Sequence, residues 1–212
     1  MHALVLFVVL GMVLFAPAWA SDEGDADALT PAEKYQQALD LLDSGTQRGV
    51  GEGMDLVYEA AEEGHPSAQW TLGVLFGSGS DFDIENIKKS LQWHRAAAEQ
   101  GYAPSQASLG VLYYNGYGVP QDYAEAARLY RLGAEQGDVY AQSLLAAMHS
   151  EGKGVPQDYV QAHKWSNLAA AQGSKAATEF REDLAKDMTL EQISEAQRLA
   201  REWMESQSPR ED

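Results

Sequence analysis

Three sets of side chains in this 212-residue chain have types and spacings that chemistry can use. Ser150-Glu151-Gly152-Lys153 has the S-x-x-K spacing of penicillin-binding enzymes and β-lactamases, in which a serine attacks and a nearby base takes its proton. Asp81-x-Asp83-x-Glu85 opens like a calcium loop, whose alternating carboxylates converge on one cation. His65, His94, His149 and His163 supply imidazoles of the kind that ligate zinc. Each set fails a second requirement. Neither S-D-N nor K-T-G occurs, and Ser150 falls on an expected turn instead of a helix start. A calcium loop needs glycine at its sixth position and a carboxylate at its twelfth, where this chain has Asn86 and Gln92. The histidines are scattered over different segments with no cysteine to join them. No catalytic residue, cofactor or metal is expected, and Asp83 reads as the cap of a following helix.

The elements that would position these residues come from a repeat. GVPQDY occupies residues 118–123 and returns at 154–159, an offset of 36 residues. At the same offset Gly101 meets Gly137, Gln106 meets Gln142, Leu109 meets Leu145, Gly116 meets Gly152 and Gln136 meets Gln172. Gly173 opens a further unit. An earlier one starts at Gly64 and is one residue longer, with Gln69, Leu72, Gly73 and Gln100 in matching places. A fixed period in the thirties marks a solenoid.

Each unit reads as two antiparallel helices. Pro104 sits near the first helix start, where its missing N–H costs nothing, and Ser105, Leu109 and Leu112 follow at helical spacing. Asn115-Gly116 ends that helix, because glycine accepts the left-handed conformation of a C-terminal cap. Pro120 then pushes Val119 toward an extended backbone, and Asp122 with Glu125 forms a capping box for the second helix. Asp158 with Gln161 repeats the device. GVPQDY is therefore a stop, a link and a start. The second helices carry Tyr123, Ala126, Leu129 and Tyr130, matched by Tyr159, Ala162, Trp165 and Ser166, and in the first unit by Ile87, Ser90, Trp93 and His94. Large residues beside small ones at this spacing describe close helix packing, so Trp93 and Trp165 are expected in the core.

At these residues the chain resembles the Sel1-like repeat family, cousins of the tetratricopeptide repeats. The marks are A-x-x-x-L-G on the first helix, read at Ala68 to Gly73 and, with variants, from Ser105 and Ala141; the loop G-x-G-V-P-Q-D; and W-x-x-A-A-x-Q-G or its variants on the second. Three units fit over residues 64–173. The first departs where SGSDFDIEN replaces the GVPQD loop. The resemblance implies an all-α fold, an α/α superhelical solenoid whose concave side binds proteins or peptides.

The flanks extend this plan. Thr30-Pro31-Ala32-Glu33 starts a helix carrying Tyr35, Ala38, Leu41 and Leu42, and Met54 to Gly64 completes a divergent opening repeat. Thr189-Leu190-Glu191-Gln192 starts a capping helix with Ile193, Ala196, Leu199, Ala200 and Trp203. The expected organisation is a signal peptide over 1–20, an acidic disordered linker over 21–29, a solenoid over 30–205 and a disordered tail over 206–212. The repeats fall at 30–64, 65–101, 102–137 and 138–173, with a cap over 174–205. The signal reading rests on the apolar run from Leu4 to Phe15 and on Ala18-Trp19-Ala20, a small-x-small cleavage site; an uncleaved anchor is the alternative. No cysteine follows, so no lipobox is present, and a periplasmic or secreted location is expected. The net charge of −17 argues against nucleic acid and anionic membrane surfaces and toward a neutral or basic protein or peptide.

If Ser105, Leu109 and Leu112 face the core, the opposite stripe carries Ala107, Val111 and Tyr114. The matching lines are Trp70, Val74 and Gly77 in one neighbour and Ser143, Ala147 and Ser150 in the other. Leu144 lies on an adjacent line, and Tyr140 near its helix start. In helix-pair solenoids the first helices line the groove, so Trp70, Val74, Val111, Tyr114, Tyr140 and Leu144 are the candidate contacts, with Trp70 and Tyr114 as anchors. The alternative for each is packing between neighbouring repeats.

Overall fold

The structure is a computed structural model that describes residues 28–78 and 83–207. The expected signal peptide, the expected linker up to residue 27 and the last five residues of the expected tail lie outside them. Ten α-helices and no strand are found among the described residues. They are α1 (Pro31–Asp43), α2 (Gln47–Glu62), α3 (Pro66–Gly77), α4 (Ile84–Glu99), α5 (Ala103–Asn115), α6 (Tyr123–Glu135), α7 (Val139–Glu151), α8 (Tyr159–Ala171), α9 (Lys175–Ala185) and α10 (Leu190–Gln207). Each helix from α1 to α8 packs on the next, α5 also touches α7, and α10 packs on α8. The all-helical solenoid expected from the repeat is what the chain forms.

The turns work as their residues dictate. Gly116 and Gly152 take φ of 73° and 68°, and their N–H groups donate back to the carbonyls of Leu112 and Met148. Gln121 and Gln157 lean back to donate to the carbonyls of Tyr114 and Ser150 at 2.9 and 2.8 Å, closing each loop on the helix it leaves. Asp122 and Asp158 accept from the N–H groups of Glu125 and Gln161, both at 3.0 Å. The Glu125 carboxylate takes both hydrogen bonds of Arg128, a salt bridge along the helix surface that the sequence reading did not include. Gly154 has a second reason to be glycine. A Cβ there would stand 2.0 Å from the carbonyl oxygen of Tyr123, so each turn rests on the start of the preceding unit's second helix.

Packing between the paired helices is set by size swaps. A Cβ on Gly73 would stand 2.6 Å from the His94 ring, and one on Gly110 2.5 Å from Tyr130. Where Ala146 replaces that glycine, the facing position holds Ser166, small enough to leave room. Trp165 is 5 % exposed and meets Trp203 of α10 edge-on at 6.3 Å, as a core tryptophan should. Trp93 packs, half-buried, on the cluster of Val57, Ala61 and Leu72.

The matching glutamines form a ladder. Gln100, Gln136 and Gln172 each donate to the side-chain oxygen of Gln69, Gln106 and Gln142 respectively, at 2.8, 2.8 and 3.0 Å. Gln69 and Gln142 pass the chain on to the carbonyls of Ala61 and Ala134 in the preceding helix. Buried amides are thus satisfied between one repeat and the next.

Two boundaries differ from the sequence reading. The second helix of the opening repeat begins at Gln47, capped by Thr46, and not at Met54. Gly49, Gly51 and Gly53 disfavour a helix by propensity. Tertiary contact overrides this, since a Cβ on Gly53 would stand 3.0 Å from the Ala38 carbonyl and only glycine admits α1 that closely. At the other end the cap holds two helices, α9 and α10, where one capping helix was expected. Thr189 and Gln192 make a reciprocal capping box at the start of α10, which continues to Gln207, past the expected start of the tail.

Candidate functional site

The residues with catalytic spacing are held in ways that do not serve catalysis. Ser150 Oγ donates to the carbonyl of Ala147, which directs it into its own helix. Lys153 lies 2.7 Å from a Glu151 carboxylate oxygen and donates to the Tyr114 hydroxyl at 2.9 Å. Glu151 first, then Tyr114, holds the Lys153 ammonium well above its usual range, so it carries a proton where a general base must lack one. Asp83 accepts from the Glu85 N–H at 3.0 Å and caps α4, while Asp81 lies outside the described residues. Among the described residues no group of three or more His, Asp or Glu side chains is arranged for a metal ion. His65 caps α3 through Nδ1, which accepts from the Ala68 N–H at 3.3 Å. His94, His149 and His163 are buried, each with an unpartnered Nδ1 among the described residues. Burial lowers all three, and brings His94 down to about 4.

The six surface candidates separate into three settings. Val74 of α3, Val111 of α5 and Tyr140 of α7 line one cavity of about 310 Å³. Val74 and Tyr140 are 41 % and 55 % exposed, while Val111 rests half-buried on the main core cluster. A cavity shared by three successive first helices means that those helices turn a common wall toward one another. Tyr114 and Leu144 line a second cavity of about 170 Å³, with Tyr130, Ala147, Met148 and Glu151. Trp70 stands apart, edge-on to Tyr102 at 6.4 Å with its indole N–H buried and unpartnered among the described residues.

Two sequence expectations about this wall need revision. Ala107 is fully buried, because α5 packs on α6 on one side and on the next first helix, α7, on the other, so the face opposite the core stripe is not solvent. Tyr114 is already engaged. Its ring meets Tyr123 edge-on at 5.0 Å, with Lys153 Nζ 5.3 Å above it. This cluster clamps one repeat to the next, which is the packing alternative for that residue. The structure also adds wall residues that the stripe did not include: Tyr117 and Ser78 from the turns, and Ser90 and His94 from α4 beneath. Their signal was present only as the shared slot of His94 and Tyr130.

The wall is nearly free of charge. Helices α3 and α5 contain no Asp, Glu, Lys or Arg, and α7 contains only Glu151. Charged side chains lie on the second helices instead, as in IENIKKSLQWHRAAAE of α4 and YAEAARLYRLGAE of α6. No described helix is long and apolar enough to cross a membrane.

Comparison with known proteins agrees with this architecture. A crystal structure of a protective antigen present in uropathogenic Escherichia coli strains, displaying an SLR fold, superposes with a TM-score of 0.75 at 30 % identity. The match covers 82 % of this chain and 38 % of the antigen, so this chain spans well under half of that protein. A Sel1 repeat protein from Oxalobacter formigenes superposes with a TM-score of 0.62 at 28 % identity, over 86 % of this chain and 72 % of that one. No curated protein matches the sequence significantly. The Sel1 repeat model matches residues 66–102, 103–138 and 139–174, the three helix pairs whose first helices build the wall, and the chain belongs to the Sel1 repeat family.

Proposed function

We propose that this chain is a non-enzymatic adaptor or scaffold of the bacterial cell envelope that binds a protein or peptide along its inner wall. Sel1 repeat proteins are typically protein-interaction scaffolds and generally non-catalytic. The observation that carries the reading is the convergence of Val74, Val111 and Tyr140 from three successive helices on one cavity. Apolar and aromatic side chains left exposed in a concave setting are the usual anchors of interfaces. The uncharged wall suits a neutral segment, and the acidic remainder of the chain suits a partner that is neutral or basic overall. The envelope location is supported by the apolar run and the Ala18-Trp19-Ala20 site at the start of the sequence.

A photo-cross-linking amino acid at position 74 or 140, introduced into the full chain in cells, should trap a specific protein. The same group at Lys88, on the outer face of α4, should not. Adducts formed only from position 88 would overturn the inner-wall reading. N-terminal sequencing of the exported protein should begin at Ser21, and recovery of intact Met1 in the membrane fraction would overturn the soluble envelope location. Nitrocefin should not be turned over; its hydrolysis by purified protein would restore the enzyme alternative.

A further inference from the structure

The two cavities are one feature written twice. The repeat offset carries Gly77 to Tyr114, His94 to Tyr130 and Ser108 to Leu144. Each cavity thus lies between the first helices of two neighbouring units, over the second helix of the earlier one, and the larger also reaches Tyr140 at the start of the next first helix. The filling differs. Gly, His and Ser leave about 310 Å³, whereas Tyr, Tyr and Leu leave about 170 Å³. The larger cavity has a polar floor, because Ser90 and the His94 ring lie under it; His94 is 4 % exposed, and its Nδ1, held against Gly73, has no partner among the described residues. A buried nitrogen in that state carries a desolvation cost, and the ring edge that remains open is where a hydrogen-bonding group of a ligand meets the imidazole. Of the residues lining the larger cavity none is Asp, Glu, Lys or Arg, and Glu151 at the smaller one is paired with Lys153 at 2.7 Å. An ionised side chain entering either cavity would lose its hydration and meet no free counter-charge.

Resting on the reading of the inner wall as the binding surface, we propose that these cavities are paired sockets for an extended, uncharged peptide segment of a partner protein. A side chain bearing an amide or hydroxyl enters the His94 socket, and a small apolar side chain enters the Tyr130 socket. Their separation follows from helix packing. Packed helices stand about 8–10 Å apart, a distance that a chain in the extended polyproline II conformation, rising ~3.1 Å per residue with three residues per turn, covers in about three residues while returning both side chains to the same face. The two side chains therefore lie about three positions apart in the partner.

A random heptapeptide phage library panned on the full chain tests this, with Val74→Lys as the control surface and synthetic copies measured by fluorescence anisotropy. Enriched peptides should carry no charge and should pair Asn, Gln, Ser or Thr with a small apolar residue at that spacing. His94→Phe should weaken them about fivefold and erase their preference for the polar side chain over Ala, as loss of one hydrogen bond implies. Ser108→Leu introduces the side chain found at the matching position of the second socket. It should block the first socket while far-UV circular dichroism stays unchanged. Charged consensus peptides, or no enrichment at all, would overturn the proposal. If Val74→Lys blocks binding while His94→Phe and Ser108→Leu bind like wild type, the sockets are wrong and the wall reading stands. If Val74→Lys binds as well as wild type, the wall reading itself fails.

Discussion

Gly152 and Gly154 lie two residues apart in the same turn with φ of 68° and 67°, yet alanine should cost very different amounts at each. An L side chain at such a φ costs about 1 kcal/mol by itself. At position 152 less is added, because the nearest atoms are the Gln157 Cβ at 3.2 Å and its backbone nitrogen at 3.4 Å, contacts that a shift of a few tenths of an ångström relieves. At position 154 the new Cβ would stand 2.0 Å from the Tyr123 carbonyl oxygen, 2.4 Å from its carbon and 2.8 Å from the Ala124 nitrogen. All three are backbone atoms of α6, so the turn must lift off the preceding repeat, an overpacking cost of ~1–3 kcal/mol on top of the strain. Gly154→Ala should therefore lose about 3 kcal/mol and Gly152→Ala about 1 kcal/mol, read from urea unfolding midpoints at equal slope. Equal losses at the two positions would refute the argument that GVPQDY is shaped by contact between units.

Trp165→Ala should cost about 3–5 kcal/mol in the same assay, since it removes a buried ring packed on Trp203; a loss below about 1 kcal/mol would place Trp165 outside the core. Gln142→Leu should cost ~1–3 kcal/mol by removing the buried amide's hydrogen bonds to Gln172 and the Ala134 carbonyl, and a neutral result would mean that the ladder contributes nothing to stability. Acid should destabilise the fold through its buried histidines. A depressed folded pKa means that the unfolded chain binds more protons below pH 6.5, so stability present above that value falls as pH drops toward about 4. For His94 the loss amounts to up to ~3 kcal/mol, and His149 and His163 act with the same sign. Stability that is flat between pH 7 and pH 4 would contradict the neutral, buried state of these rings.

The fold was legible because its punctuation repeats. Glycine, proline and aspartate at fixed offsets state where each helix stops and starts, and these are local effects of single residues. What stayed hidden depends on partners far along the chain. The coincidence of Gln106 with Gln142 was visible, but their bonds run to Gln136 and Gln172, thirty residues away in the paired helix. The start of α2 was hidden because three glycines argue against a helix until α1 and the turn after it are placed against Gly49 and Gly53. For the candidate site the stripe of Val74 and Val111 could be read from helical spacing, and Tyr140 from its place at a helix start. Burial of Ala107 and the engagement of Tyr114 by Lys153 and Tyr123 could not, because both depend on how far the neighbouring repeat overlaps.

The central question is which surface of the solenoid binds the partner. The decisive measurement is the affinity of the protein captured by cross-linking, compared across Tyr140→Ala, Val74→Asp and the turn variants Gln121→Ala and Gln157→Ala. Tyr140→Ala should weaken binding by on the order of 2 kcal/mol and Val74→Asp by at least as much, with little change in thermal stability. The turn variants remove hydrogen bonds to the carbonyls of Tyr114 and Ser150, so they should change stability and leave affinity near wild type. Normal binding by both wall variants, with binding lost on substitution of Gln121 or Gln157, would contradict the account and move the site to the turns.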